Sequence, residues 1–171
     1  MARAVTIALL LLVAGCSVGN DSEPSSDNTS EKTTDASEEP RELRVERISS
    51  GAPGQGPRQP RAVMASSATA LSRAVGADVP GSGSGAYLAT YWGQKSTGGY
   101  SMAIESARLE GARVTVRLAL KEPPRDAILT QAFTYPHAVA VVRDLEPPGK
   151  DFSFVDEEGR ELGWPVRLVG G

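Results

Sequence analysis

The 171-residue chain has one cysteine, one histidine, four lysines and only 5% aromatic residues. A single cysteine excludes an intramolecular disulfide, and one Cys with one His excludes a zinc site of four such ligands. A Ser-His-Asp or Cys-His arrangement would have to use His137, the only imidazole. His137 follows Pro136 and precedes an apolar run, a setting that suits a surface or satisfied core residue better than a base. The acids Asp144 and Glu146, and Asp156, Glu157 and Glu158, lie in turn-like stretches without EF-hand spacing, so they read as solvated charge and not as a calcium site. No Gly-x-x-x-x-Gly-Lys order is present to cradle phosphate. The formal net charge of −3 lacks the basic excess of a dedicated nucleic-acid binder. No catalytic residue, metal or cofactor is expected from this inventory, and no nucleic-acid partner.

The charge is unevenly spread. Residues 17–42 hold eight acids against Lys32 and Arg41, whereas residues 43–171 hold fifteen basic and thirteen acidic side chains. The acidity is a property of one short segment. Ahead of it, Met1-Ala2-Arg3 is a short basic start, and Leu9-Leu10-Leu11-Leu12-Val13 forms the centre of an apolar run. That run is too short to span a bilayer and fits a signal-peptide core. It ends in Leu12-Val13-Ala14-Gly15-Cys16, which resembles a bacterial lipobox. The lone thiol thus stands where a diacylglycerol would be attached. The resemblance implies a signal peptide over 1–15, lipidation at Cys16, and a protein held in membrane lipid on the extracytoplasmic side of a bacterial envelope. At roughly 0.8 kcal/mol per buried methylene, two acyl chains anchor a protein durably.

Residues 16–42 comprise this cysteine and a stretch rich in Ser, Asn, Asp, Thr, Glu and Pro, with no aromatic. Such a segment buries too little to repay its ordering entropy, so a disordered acidic tether is expected.

The remainder, 43–171, is expected to form one domain. Apolar residues alternate through 112–121, with Val114, Val116, Leu118 and Leu120 on one face, the mark of a half-buried strand. The stretch 100–109 is its expected hairpin partner, with a turn at Glu110-Gly111. Further strands are expected at 61–65, 86–92, 137–143, 152–155 and 160–164, the last two joined through Asp156-Glu157-Glu158-Gly159. Pro165 places the final strand at an edge. One helix is expected, capped by Ser66 or Ser67, carrying Leu71, Ala74 and Val75 on one face and ended by Gly76. The pattern describes an α+β fold: a mainly antiparallel β-sandwich-like or barrel-like domain with one short helix.

Two stretches stand apart from this framework. Gly93-Gln94-Lys95-Ser96-Thr97-Gly98-Gly99-Tyr100-Ser101 surrounds a glycine pair with donors and an aromatic. It reads either as a recognition loop or as a hairpin turn. Ile128-Leu129-Thr130-Gln131-Ala132-Phe133-Thr134-Tyr135-Pro136-His137 places an aromatic beside a rigid proline. It reads as a flat contact surface or as a corner with Tyr135 in the core, and Tyr135-Pro136 is open to a cis bond. Lys95, Thr97, Gly98, Gly99, Tyr100, Gln131, Tyr135 and Pro136 are the candidate partner-binding residues.

Together these two motifs resemble the C-terminal domain family of the PrcB protease-complex subunit, over about 86–143. The resemblance implies an extracytoplasmic interaction module that assists or stabilises a partner protease. The family's aromatic-His pair after the proline is here His137 alone, so no histidine role carries over. Thr97-Gly98-Gly99-Tyr100 also partly resembles the inhibitory loop of chagasin-type cysteine-protease inhibitors, which implies a loop that blocks a protease cleft. An enzyme of unknown reaction is the third reading.

Overall fold

In the strands Ser101–Glu110 (β5) and Arg113–Lys121 (β6), apolar side chains alternate with polar ones, so each strand has one dry face and one wet face. The two pair as an antiparallel hairpin, the widest ladder of the domain. The computed structural model describes residues 39–170. The expected signal peptide, Cys16 and nearly all of the expected tether lie outside the described residues.

The other strands are Arg41–Leu43 (β1), Val45–Gly51 (β2), Arg61–Ala65 (β3), Ala86–Tyr91 (β4), His137–Val142 (β7), Asp151–Val155 (β8) and Val166–Val169 (β9). They form a four-stranded sheet in the order β1-β5-β6-β8 and a five-stranded sheet in the order β2-β7-β4-β3-β9. Both sheets are mixed. Each is antiparallel except for one parallel partner at an edge, β8 on β6 and β9 on β3. Among the described residues a single helix, Ala68–Val75 (α1), lies between β3 and β4 in sequence. The α+β sandwich-like fold expected from the patterning is therefore the fold observed.

The core between the sheets is built from small residues against large ones. Ala62, Ala86, Ala138 and Ala140 belong to the five-stranded sheet, and they share a cluster with Ile104, Val114, Val116, Leu118 and Phe154 of the other. Alanines on one sheet make room for branched and aromatic side chains from the other. The alternate residues Val63, Tyr87, Ala89, Val139 and Val141 form a second cluster with Leu71 of α1 and with Val79. Strands β4 and β7 are thus covered on both faces. That explains why they read as nearly continuous apolar runs while β5 and β6 alternate.

Helix α1 begins and ends where its cap residues require. The Ser67 hydroxyl accepts a hydrogen bond from the Ala70 amide at 3.2 Å. Gly76 takes φ +70 and donates to the Ser72 carbonyl at 2.9 Å. Leu71 is wholly buried against the sheet, so truncating it to Ala should cost about 2–5 kcal/mol.

Several expectations shift. Strand β1 starts at Arg41, so Arg41 and Glu42, read as tether, belong to the sheet. Strands β1 and β2, in different sheets, show no clear alternation in sequence. The β5–β6 turn is Gly111-Ala112, with Gly111 at φ +57, one residue later than expected. The segment 160–164 is not a strand, and Glu161 makes only an isolated bridge with Val155. The terminal strand is β9 instead, at the sheet edge, where the Pro165 carbonyl accepts from the Ala62 amide at 2.9 Å.

Candidate functional site

Strand β4 lies in one sheet and β5 in the other, so the glycine-rich stretch between them is a crossover and not a hairpin turn. A crossover has no partner strand of its own, and its backbone polar groups must be satisfied elsewhere. Here they are met by the connection between β6 and β7. The Trp92 amide donates to the Pro136 carbonyl at 2.9 Å. Lys95 and Thr134 exchange backbone hydrogen bonds at 2.8 and 3.0 Å, and the Gly98 amide donates to the Thr130 carbonyl at 3.0 Å. The Thr134 hydroxyl donates to the Thr97 carbonyl at 2.8 Å. The two stretches singled out in the sequence are therefore zipped into one surface.

A third connection, 52–60, supports it from the side. The Tyr135 amide donates to the Pro53 carbonyl at 3.0 Å, and the Gln94 amide to the Arg58 carbonyl at 3.0 Å. Gly93, at φ +82, allows this approach, because a Cβ there would lie 2.8 Å from the Arg58 carbonyl oxygen. A Cβ at Gly56 would lie 2.6 Å from Tyr135 Cβ.

Lys95 is half-buried. Its ammonium lies 4.0 Å from the Trp92 ring centroid and 5.1 Å from that of Tyr100. The two rings meet edge to face at 5.6 Å. Burial pushes the Lys95 ammonium below the ordinary lysine range, with the charge of Glu122 acting in the opposite direction.

The glycine pair divides into two roles. Gly99 takes φ +86, and a Cβ there would lie 2.7 Å from Pro123 Cβ and 2.9 Å from Leu129 Cδ2. Gly98 has neither constraint, since its nearest neighbour would be Thr130 Cβ at 3.8 Å. Thr97 and Tyr100 are partly covered, and Gln131 is exposed on the β6–β7 connection. The Tyr135-Pro136 bond is trans, Pro136 is buried and Tyr135 is partly covered, so this corner is not a free flat surface. The exposed apolar groups of the region are Phe133, 60% exposed, and Ile128, fully exposed. Neither was singled out as a candidate. The available signal was an aliphatic and an aromatic in a segment whose backbone pairs with no extended strand.

His137 opens β7 and stacks on Tyr91, with centroids 6.1 Å apart. The acids considered for calcium are otherwise engaged or scattered. Asp156 Oδ1 accepts from the Glu158 and Arg160 amides at 3.1 and 2.8 Å, and Oδ2 from Arg160 Nε at 2.7 Å. Among the described residues no group of three His, Cys, Asp or Glu is placed to hold a metal ion.

This geometry defines a two-sheet domain that presents three mutually bonded connections as one surface. Residues 86–143 match the family model described as PrcB C-terminal, about a third of the chain. The match runs from the start of β4 to one residue past β7, and it includes both zipped connections. The comparison with curated proteins and the comparison with solved structures find no match.

Proposed function

We propose that this chain is a non-catalytic, lipid-anchored docking module of the bacterial cell envelope that assists or stabilises a partner protease. Docking uses the zipped surface of Lys95, Thr97, Gly99 and Gln131 with Phe133 and Ile128. The observation that carries this reading is the exposure of Phe133 and Ile128 on a connection held by backbone hydrogen bonds. Aromatic side chains are frequent anchors of protein interfaces, and exposed apolar patches often mark interaction sites. The platform lies inside the PrcB C-terminal match, which supports association with a protease complex. The lipobox-like Leu12-Val13-Ala14-Gly15-Cys16 supports the anchor.

The test is cross-linking from a photoreactive residue at position 133 in the native cell, followed by mass spectrometry. An envelope protease or its subunit should be captured, and Ile128→Asp should abolish the capture while leaving the melting temperature within a degree or two. Capture that survives Ile128→Asp would reject this surface. For the anchor, intact mass should show a lipid adduct at Cys16, lost in Cys16→Ser.

A further inference from the structure

Helix α1 covers only part of the outer face of the five-stranded sheet. It packs on β3, β4 and β9. Beyond it, toward β7 and β2, the face opens into a cavity of about 430 Å³. That volume falls within the roughly 300–1,000 Å³ of small-ligand sites. The floor consists of two rows that run across the strands. In the first row, the register sets Arg61 opposite Tyr91 and Tyr91 opposite His137. The Arg61 guanidinium carbon lies 5.8 Å from the Tyr91 centroid. The Tyr91 and His137 rings stack with an interplanar angle of 29°. The second row is apolar, with Val63 and Val139, and the end of the helix and the segment after it add Val75 and Val79 as a wall.

The charge in this cavity is not consumed internally. Arg61 takes part in none of the ion pairs among the described residues. Burial raises the Tyr91 hydroxyl above its ordinary range, against the pull of Arg61, and a tyrosine hydroxyl can donate as well as accept. The one acid in the lining is the exposed Asp78. A guanidinium beside an aromatic face, next to an apolar trough, matches a carboxylate joined to an apolar body. We propose that this cavity binds a hydrophobic carboxylic acid, with the anion at Arg61 and the body against Val63, Val139, Val75 and Val79. A free small acid and the apolar C-terminal residue of a polypeptide share this chemistry.

Calorimetric titration of the full chain tests the proposal in two arms. The first compares 4-phenylbutyrate with its uncharged amide. The second compares a short peptide ending in a free C-terminal phenylalanine with its amidated form. In at least one arm the acid should bind at least about tenfold more tightly than the amide, and the arm that responds identifies the source. Arg61→Gln should remove that preference, Ala74→Trp should fill the cavity and abolish binding, and Asp78→Asn should leave acid binding equal or stronger. If Arg61→Gln does not fold, the acid–amide comparison and Ala74→Trp still decide the matter. Equal binding of acid and amide, no binding in either arm below about 10 mM, or weaker acid binding by Asp78→Asn would overturn it.

Discussion

Lys95 and Thr134 donate to and accept from each other through their backbones, at 2.8 and 3.0 Å, and this bridge joins two connections that leave different sheets. Around it, the Thr134 hydroxyl ties down Thr97 and the Gly98 amide reaches Thr130. The surface is therefore stiff because its backbone groups satisfy one another and not because it lies within a strand. Binding loses less entropy when the docking segments are already ordered.

Thr134→Val should keep the two backbone bonds and lose only the hydroxyl bond to Thr97. A typical net contribution of one such bond is about 0.5–1.5 kcal/mol, and the melting temperature should fall by a few degrees. Amide exchange at Gly98 should quicken more than exchange in β5 or β6. Equal acceleration throughout would mean that the bridge opens only with global unfolding.

The two glycines should respond differently to the same change. Gly99→Ala places a Cβ at φ +86 and against Pro123, so it should cost about 1–3 kcal/mol. Gly98→Ala makes only ordinary van der Waals contact with Thr130, at ordinary φ, and should stay within about 0.5 kcal/mol of wild type. Urea unfolding of both variants checks the contrast. Equal effects would show that the neighbourhood of Gly99 relaxes around the added methyl.

Lys95 should matter more than an exposed loop charge would. Lys95→Met keeps the aliphatic stem and removes the ammonium from the Trp92 and Tyr100 faces. Such an interaction is worth about 0.5–2 kcal/mol, depending on desolvation. Lys95→Arg should retain most of it. Thermal melting of the two variants, with Trp92 emission as a local report, distinguishes a lost cation from lost packing.

Stability should fall at acid pH partly through Asp156. Burial raises its carboxyl, but the backbone and side-chain hydrogen bonds and the charge of Arg160, with the Glu158 amide, more than offset this, and the carboxyl stays below the ordinary aspartate range. A carboxylate with a lowered folded pKa stabilises the fold above the unfolded value, near pH 4, and loses that contribution as pH falls through the folded value. Asp156→Asn should therefore be less stable than wild type at neutral pH, and the difference should shrink below about pH 4. A difference that stays constant with pH would assign the role of Asp156 to hydrogen bonding alone.

Local chemistry was legible in the sequence where one residue decides one feature. Ser67 and Gly76 bound α1 because a hydroxyl acceptor and a left-handed residue satisfy the free ends of a helix. The alternation through β5 and β6 marks a hairpin because each strand has one wet face. Strands β4 and β7 showed as apolar runs, but runs of that kind do not say what covers each face. Strands β1 and β2 carry little signal, and 160–164 has the pattern of a strand although its backbone makes only one bridge.

Composition alone singled out both halves of the candidate surface, since paired glycines and an aromatic-proline step are uncommon in strands. It could not show that the halves meet. That depended on β4 and β5 lying in different sheets, which leaves the crossover's amides and carbonyls to find partners on the β6–β7 connection. The same packing separated the roles of Gly98 and Gly99, placed Lys95 between two rings, and left Phe133 and Ile128 in solvent. The caps, the hairpin and the residues available for contact follow from the character of neighbouring residues, and so can be read from sequence. Which of those residues are brought together depends on packing, because pairing between distant segments follows from how the two sheets stack.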